Sequence, residues 1–262
     1  MIKLIASDID GTLVEDGGSV LDKELVEAID LLYDKGILFA VASGRSIVSQ
    51  RKLFNDIKEK IYYISCNGTY IGRHDECIYR SVIKPEYIKE LIKDCRNYPD
   101  CTLFLNIDEG YYTETKDENV IRWLETGYRE KVIQVDDLLN VDEDIIKACF
   151  FDPKHTVGAT GEKLIEKWSD KLSVVTAGTM WLDFFDINAS KGTALAMLQE
   201  KLGISKEETM AFGDQQNDIE MLKQAEYSYA TGNAIDEVKQ VAKYVTDTNV
   251  NQGVLKVLRT LL

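Results

Sequence analysis

Both ends of this chain alternate short apolar runs with amphipathic segments, a rhythm that restricts them to a parallel sheet covered by helices. Asp22 is placed to cap a helix whose apolar stripe is Leu25, Ile29 and Leu32, and Gly36 to stop it. Ile37-Leu38-Phe39-Ala40-Val41-Ala42 follows as a buried strand, and Ile61-Tyr62-Tyr63-Ile64-Ser65 as another, ending at Cys66-Asn67-Gly68. Near the other end, 192–201 and 219–225 read as helices around the strand Thr209-Met210-Ala211-Phe212, and two shorter strand-helix units close the chain. The first strand, Lys3-Leu4-Ile5-Ala6-Ser7, runs into two carboxylates one residue apart, Asp8 and Asp10, with Gly11 as a turn residue behind them. Carboxyl ends of strands are where open α/β sheets bind ligands.

The middle has a different texture. All three prolines (Pro85, Pro99, Pro153) and all three tryptophans (Trp123, Trp168, Trp181) lie between 85 and 181. Strand patterns at 101–107 and 111–115 flank the turn-like Asp108-Glu109-Gly110, helix patterns follow at 118–125 and 162–168, and further strands at 145–151 and 174–176. The expected fold class is therefore α/β: a doubly wound parallel-sheet core of residues 1–81 and 186–262, Rossmann-like in its winding, with an α+β domain of residues 82–185 inserted. Short hinges are expected near 81–84 and 184–189.

Charge and composition narrow the chemistry. A net charge of −14 over 262 residues argues against nucleic acid as a partner, and means that local cations must draw in any anionic substrate. No apolar stretch approaches the roughly 18 residues of a membrane span, and the amino terminus has no signal-peptide pattern, so a cytoplasmic protein is expected. The five cysteines follow no metal-binding pattern and read as reduced thiols. The segment from Cys66 to Arg73 has six intervening residues where the phosphate loop of cysteine phosphatases has five. With only two histidines, His74 and His155, a Ser-His-Asp triad is unlikely, and carboxylates must carry the reaction. Two carboxylates as close as Asp8 and Asp10 raise each other's pKa unless a cation neutralises them, so a divalent metal is the natural third member. Asp8 would then stay ionised as a nucleophile, and Asp10 would trade a proton with a leaving group.

Asp8-Ile9-Asp10-Gly11-Thr12-Leu13 resembles the first motif of the haloacid dehalogenase superfamily of phosphatases. Ala42-Ser43-Gly44-Arg45 is similar to its second motif, Ser190-Lys191-Gly192-Thr193-Ala194-Leu195 to its third, and Gly213-Asp214-Gln215-Gln216-Asn217-Asp218 to its fourth. The spacing and the trailing Gly232-Asn233-Ala234 resemble the Cof-like sugar-phosphate phosphatases, over residues 1–80 and 186–262. The resemblance implies an aspartyl-phosphate on Asp8, Asp10 as acid and then base, and the inserted domain as a cap. Ser43 and the Gly44 amide would hold a phosphoryl oxygen, although Ser43 alone reads as a helix cap. Lys191, placed at a helix start where the macrodipole disfavours a cation, would face an anion, the phosphoryl oxygens and Asp8. Asp8, Asp214 and the Asp10 carbonyl would ligate Mg²⁺, with Asp218 in support. Asn217 would orient the phosphate or its water. Arg45 and Asn67 would touch the leaving group, Arg45 pairing equally well with a carboxylate. Asn249 is either an active-site residue or an ordinary loop asparagine.

The function expected is Mg²⁺-dependent hydrolysis of small phosphomonoesters, sugar phosphates first, with pyridoxal phosphate or a flavin mononucleotide as alternatives. A phosphomutase would share the intermediate, and a dehalogenase would share the nucleophile without needing Asp10. A phosphate-accepting signalling receiver would be about half this length. The expected partner is a small phosphorylated metabolite, with the chain a monomer or weak homodimer.

Overall fold

The computed structural model describes residues 1–262, which divide into two compact units, Met1–Tyr79 with Ser190–Leu262, and Arg80–Ala189. In chain order the first unit opens with β1 (Leu4–Ser7), α1 (Lys23–Asp34), β2 (Leu38–Ala42), α2 (Ile47–Leu53), β3 (Ile61–Ser65), β4 (Tyr70–Arg73) and β5 (Glu76–Arg80). The second contains α3 (Pro85–Cys95), β6 (Thr102–Ile107), β7 (Gly110–Thr113), α4 (Glu118–Gly127), β8 (Val132–Gln134), β9 (Lys147–Phe151), α5 (Val157–Thr160), α6 (Glu162–Trp168), β10 (Leu172–Ala177) and β11 (Trp181–Asp186). The first unit then resumes with α7 (Lys191–Leu202), β12 (Thr209–Gly213), α8 (Ile219–Lys223), β13 (Tyr227–Ala230), α9 (Asp236–Val241), β14 (Tyr244–Val245) and α10 (Gly253–Leu258).

The first unit is built on an eight-stranded sheet in the order β14-β13-β12-β1-β2-β3-β4-β5. From β14 to β3 the pairs are parallel, and every residue of β1, β3 and β12 is buried. Burial on both faces explains why these strands read as continuous apolar runs rather than alternating ones. On one face Leu4, Ala6, Ala40 and Ala211 pack with Ala194, Leu195 and Leu198 of α7 and Met221 and Leu222 of α8. Asp22 caps α1 by accepting from the Glu24 amide, and the buried stripe of α1 is Leu25, Ala28, Ile29 and Leu32.

The sheet departs from the expected all-parallel pattern at one edge, because β4 runs antiparallel to β3. Between them lies a one-turn reversal, Cys66–Gly68, in which Cys66, Asn67 and Gly68 all have positive φ. A reversal this short leaves no room for the crossover a parallel return needs. Gly68 has φ +100°, and a Cβ there would overlap the Ser190 backbone, so this turn tolerates little else.

The second unit carries a six-stranded sheet, β10-β11-β9-β6-β7-β8, antiparallel except at β7–β8. One face packs on α3 and α6 through Leu103, Leu105, Phe150, Leu91, Leu164 and the fully buried Trp168. Phe104, Phe151, Trp123 and Trp181 cluster separately, the two indoles stacked with centroids 5.9 Å apart. Four elements here, α3, β8, α5 and β11, have no counterpart in the sequence reading, and the first and last show why. In α3, Pro85 stands within the first turn, where a missing amide costs nothing. In β11, Asp183 interrupts the apolar run but is buried against Lys147 of β9 at 2.9 Å. Phe184, Phe185 and Asp186 are thus strand rather than hinge. No helix of the chain is long and apolar enough to cross a membrane.

Candidate active site

β1 is the switch point of the first sheet: the chain winds from it to β2 on one side and returns as β12 on the other. Ser7 lies in register with Val41 of β2 and Phe212 of β12. The residues that follow, Asp8, Ser43 and Asp214, therefore emerge together at the carboxyl ends of three adjacent strands, where open α/β sheets leave a crevice.

Lys191, the first residue of α7, is 1% exposed, although a lysine in isolation reads as a surface residue. Its ammonium donates to Asp8 Oδ1 at 2.5 Å and to Asp218 Oδ1 at 2.6 Å. The other Asp218 oxygen accepts from the amides of Asp214 (2.9 Å) and Gln215 (3.0 Å), which shapes the turn after β12. Asp214 accepts from the Thr12 hydroxyl at 2.7 Å and from the Gln215 side-chain amide at 3.1 Å. Gly11 has φ +79°, and a Cβ there would overlap the Asp214 carboxylate. One carboxylate oxygen from each of Asp8, Asp214 and Asp218 lies within 4.8 Å of the others.

Three carboxylates around one ammonium carry a formal charge of −2. Burial pushes the Asp8 carboxyl well above its ordinary range; Lys191 opposes this, while Asp218 and Asp214 push the same way. Burial works against the charge on Lys191, but Asp218 and Asp8 outweigh it and hold the ammonium above its usual range. Asp214 is also raised, by burial first, with the Thr12 hydroxyl opposing and Asp218 adding. Hard oxygen donors and a net −2 fit a divalent cation of the Mg²⁺ class.

The Asp214 shift has a stability consequence whose sign is definite. A carboxyl raised on folding destabilises the fold when ionised; the penalty is absent below the ordinary carboxylate range and complete above the raised value. Metal-free Asp214→Asn should therefore melt above metal-free wild type at pH 7.5, by about 2–4 °C for each kcal/mol relieved. The gap should narrow as the pH falls through the raised value and close only below about pH 4, in the ordinary carboxylate range. Thermal melts in chelator across this pH range check this.

Several predicted residues sit differently from expectation. The Asp10 side chain is outside the carboxylate cluster, bound by Arg45 through Nε at 2.7 Å and Nη2 at 2.5 Å. Arg45 thus takes the carboxylate partner that stood as one of its two options. Ser43 is not at a helix start: α2 begins at Ile47 with Ser46 as its cap, and the Ser43 hydroxyl accepts from the Arg45 amide at 3.1 Å. The Asn67 amide donates to the Ser43 carbonyl at 3.0 Å, and its side chain accepts from Asn217 at 3.1 Å, so Asn217 meets Asn67 across the loops. Gly44 packs beside Asn67, where a Cβ would come 3.3 Å from Oδ1.

Two supports, Thr12 and Asn233, had no role in the sequence reading of the site, and a third, Asn249, stood there with two alternatives. Thr12 holds Asp214, Asn233 donates to the Gly11 carbonyl at 2.8 Å, and Asn249 donates to the Val14 carbonyl at 3.2 Å. Asn249 is thus a brace for the turn after β1, linked to Asn233 through its own amide at 3.0 Å. Motif membership marked Thr12 and Asn233, but their partners lie about 200 positions away.

Comparison with known proteins agrees with this geometry. The family model described as haloacid dehalogenase-like hydrolase matches residues 5–258. The chain is 30% identical to the 5-amino-6-(5-phospho-D-ribitylamino)uracil phosphatase YcsE of Bacillus subtilis, over 98% of this chain and 95% of that one. A solved structure from Eubacterium rectale is 36% identical, with a TM-score of 0.90 over 100% of this chain and 99% of that one. The subclass IIB sugar phosphatase BT4131 is 25% identical, with a TM-score of 0.82 over 99% and 98%. Relatives of this chain act on small phosphorylated molecules, and with its whole length aligned to theirs it belongs to the haloacid dehalogenase-like hydrolase family, as a phosphatase.

Proposed function

We propose that the protein hydrolyses phosphate esters of small polyhydroxylated metabolites, sugar phosphates first, with Mg²⁺ and through an aspartyl-phosphate on Asp8. The observation that carries this reading is Lys191 buried between Asp8 and Asp218 with Asp214 alongside, a group two positive charges short of neutrality. Asp8, Asp214 and the main-chain carbonyl of Asp10 would hold the ion. When bound, it supplies charge that polarises the phosphoryl oxygens and offsets their repulsion of a carboxylate nucleophile.

The chain's own groups divide the rest of the work. A carboxylate oxygen of Asp8 attacks phosphorus, the bond to the ester oxygen breaks with its electron pair leaving on that oxygen, and Asp10 delivers the proton. Lys191 fixes the direction of Asp8 and neutralises phosphoryl charge in a buried setting where charge counts for more than in water. Ser43 and the Gly44 amide contribute donors to the phosphoryl oxygens, and Asn217 and Asn67 order the rim. In the second half, Asp10 takes a proton from water as its oxygen attacks phosphorus, freeing Asp8 and inorganic phosphate. The unit Met1–Tyr79 with Ser190–Leu262 acts as the catalytic core, and Arg80–Ala189 as a cap that selects the leaving group.

Two relatives support the substrate class. One is named for a phosphate on a ribitylamino chain and the other as a sugar phosphatase. Five free cysteines suit a reducing, cytoplasmic setting.

A panel of phosphorylated sugars and sugar alcohols, assayed with Mg²⁺, tests the class. Exhaustive chelation should abolish turnover and added Mg²⁺ restore it, whereas Ca²⁺, which prefers a larger and looser shell, should bind and inhibit. Full activity in a sample shown metal-free by elemental analysis would remove the ion from the mechanism.

A further inference from the structure

Asp10 is held as firmly as the carboxylates of the cluster, but by a different partner. Arg45 Nε donates to its Oδ2 and Nη2 to its Oδ1, and the Gly17 amide adds a third hydrogen bond to Oδ1 at 3.0 Å. The same Nη2 donates to the Gly18 carbonyl at 2.8 Å, which ties in the loop after Val14, exposed at residues 15–17. Arg45 is itself anchored: its amide donates to Ser43 Oγ, and its carbonyl accepts from the Cys66 amide at 2.9 Å and from Gln50 Nε2 at 3.2 Å. The Arg45 side chain is 15% exposed and that of Asp10 30%.

We propose that Arg45 is a positioning residue for the general acid, holding the Asp10 carboxyl clear of the Asp8, Asp214 and Asp218 cluster. That cluster with Lys191 already has the −2 charge that one divalent ion balances, so a fourth carboxylate has no place there. A carboxylate spent on the ion is also unavailable to carry a proton. The Asp10 backbone cannot supply the separation, because its turn is closed by Gly11 N to Val14 O and Leu13 N to Ile9 O, both 2.8 Å. Only the direction of the side chain is left to set. A guanidinium fork fixes the plane of a carboxylate as well as its distance, which an ammonium cannot do. This rests on Asp10 being the acid, and it replaces leaving-group contact as the role of Arg45.

The test uses the full chain with saturating Mg²⁺ and two esters, phenyl phosphate and 4-nitrophenyl phosphate, whose leaving groups differ in their need for a proton. General acid catalysis contributes about 10²–10⁴-fold, so Asp10→Asn should lose most on the phenyl ester. Arg45→Ala should show the same selective loss, and Arg45→Ala/Asp10→Asn should fall no further than Asp10→Asn, because the two residues act as one unit. Arg45→Lys, which keeps the charge, should lose in the same direction to a smaller degree and serves if the alanine variant does not fold. Calorimetric titration with Mn²⁺ gives a readout independent of turnover. Freed from Arg45, Asp10 should tighten Mn²⁺ binding in Arg45→Ala, and that gain should vanish in the double variant.

Equal losses on both esters for Arg45→Ala and Arg45→Lys, with Asp10→Asn still selective, would overturn the positioning role and leave the acid assignment standing. A loss in the double variant equal to the product of the single losses, or unchanged Mn²⁺ affinity in Arg45→Ala, would likewise overturn it. An unselective Asp10→Asn would bring down the acid assignment and this inference together.

Discussion

Asp8→Asn should lower kcat by about 10⁴-fold or more, the scale on which removal of a nucleophile acts, while leaving the fold intact. The exchange is nearly isosteric, and Asp8 follows β1 rather than lying within it, so no strand pairing depends on its side chain. It also removes one of three crowded carboxylates. Because burial with Asp218 and Asp214 holds the Asp8 carboxyl high, the metal-free variant should be no less stable than wild type. Turnover assays beside denaturation curves separate these two effects. Wild-type activity in Asp8→Asn would refute the nucleophile, and loss of activity through unfolding would make the variant uninformative about chemistry.

Lys191→Met should be the most damaging single change to stability in the first unit. Methionine matches the length of the lysine stem, but Asp8 and Asp218 then face each other in a buried site without a cation. Breaking a buried ion pair from one side costs about 3–5 kcal/mol. The variant should unfold at clearly lower denaturant and be inactive even where folded. Adding Asp218→Asn should recover part of the stability, since it removes one stranded charge, but none of the activity. Recovery of both would mean that Lys191 is a structural counter-ion with no part in the reaction.

The elements most legible in the sequence were those whose cause is local or symmetric. Buried parallel strands such as β1, β3 and β12 have no solvent face, so they appear as unbroken apolar runs. Asp22 and Gly36 mark the limits of α1 by capping chemistry that reaches only two or three residues. Lys191 was legible through a conflict, a cation at a helix start that requires an anion nearby; Asp8 and Asp218 supply it.

What stayed hidden depends on partners distant in sequence. The antiparallel β4 follows from the positive φ of Cys66, Asn67 and Gly68, and Cys66, which has no preference for that region, hides the reversal. Asp183 reads as a break in an apolar run until Lys147, 36 residues earlier, is seen against it. Arg45 had a carboxylate partner in prospect, but only the fold selects Asp10, 35 residues before it, from among many acids. The bracing of the turn after β1 by Asn233 and Asn249 is of the same kind.

The central claim is that Asp8 becomes phosphorylated during turnover. Rapid mixing of enzyme, Mg²⁺ and substrate, quenching within one turnover, and borohydride reduction of the trapped acyl phosphate convert a phosphorylated aspartate to homoserine. Peptide mass mapping should find homoserine at position 8, in wild type and not in Asp8→Asn. Homoserine at another aspartate, or a single-turnover burst of product from an enzyme carrying none at position 8, would contradict the account.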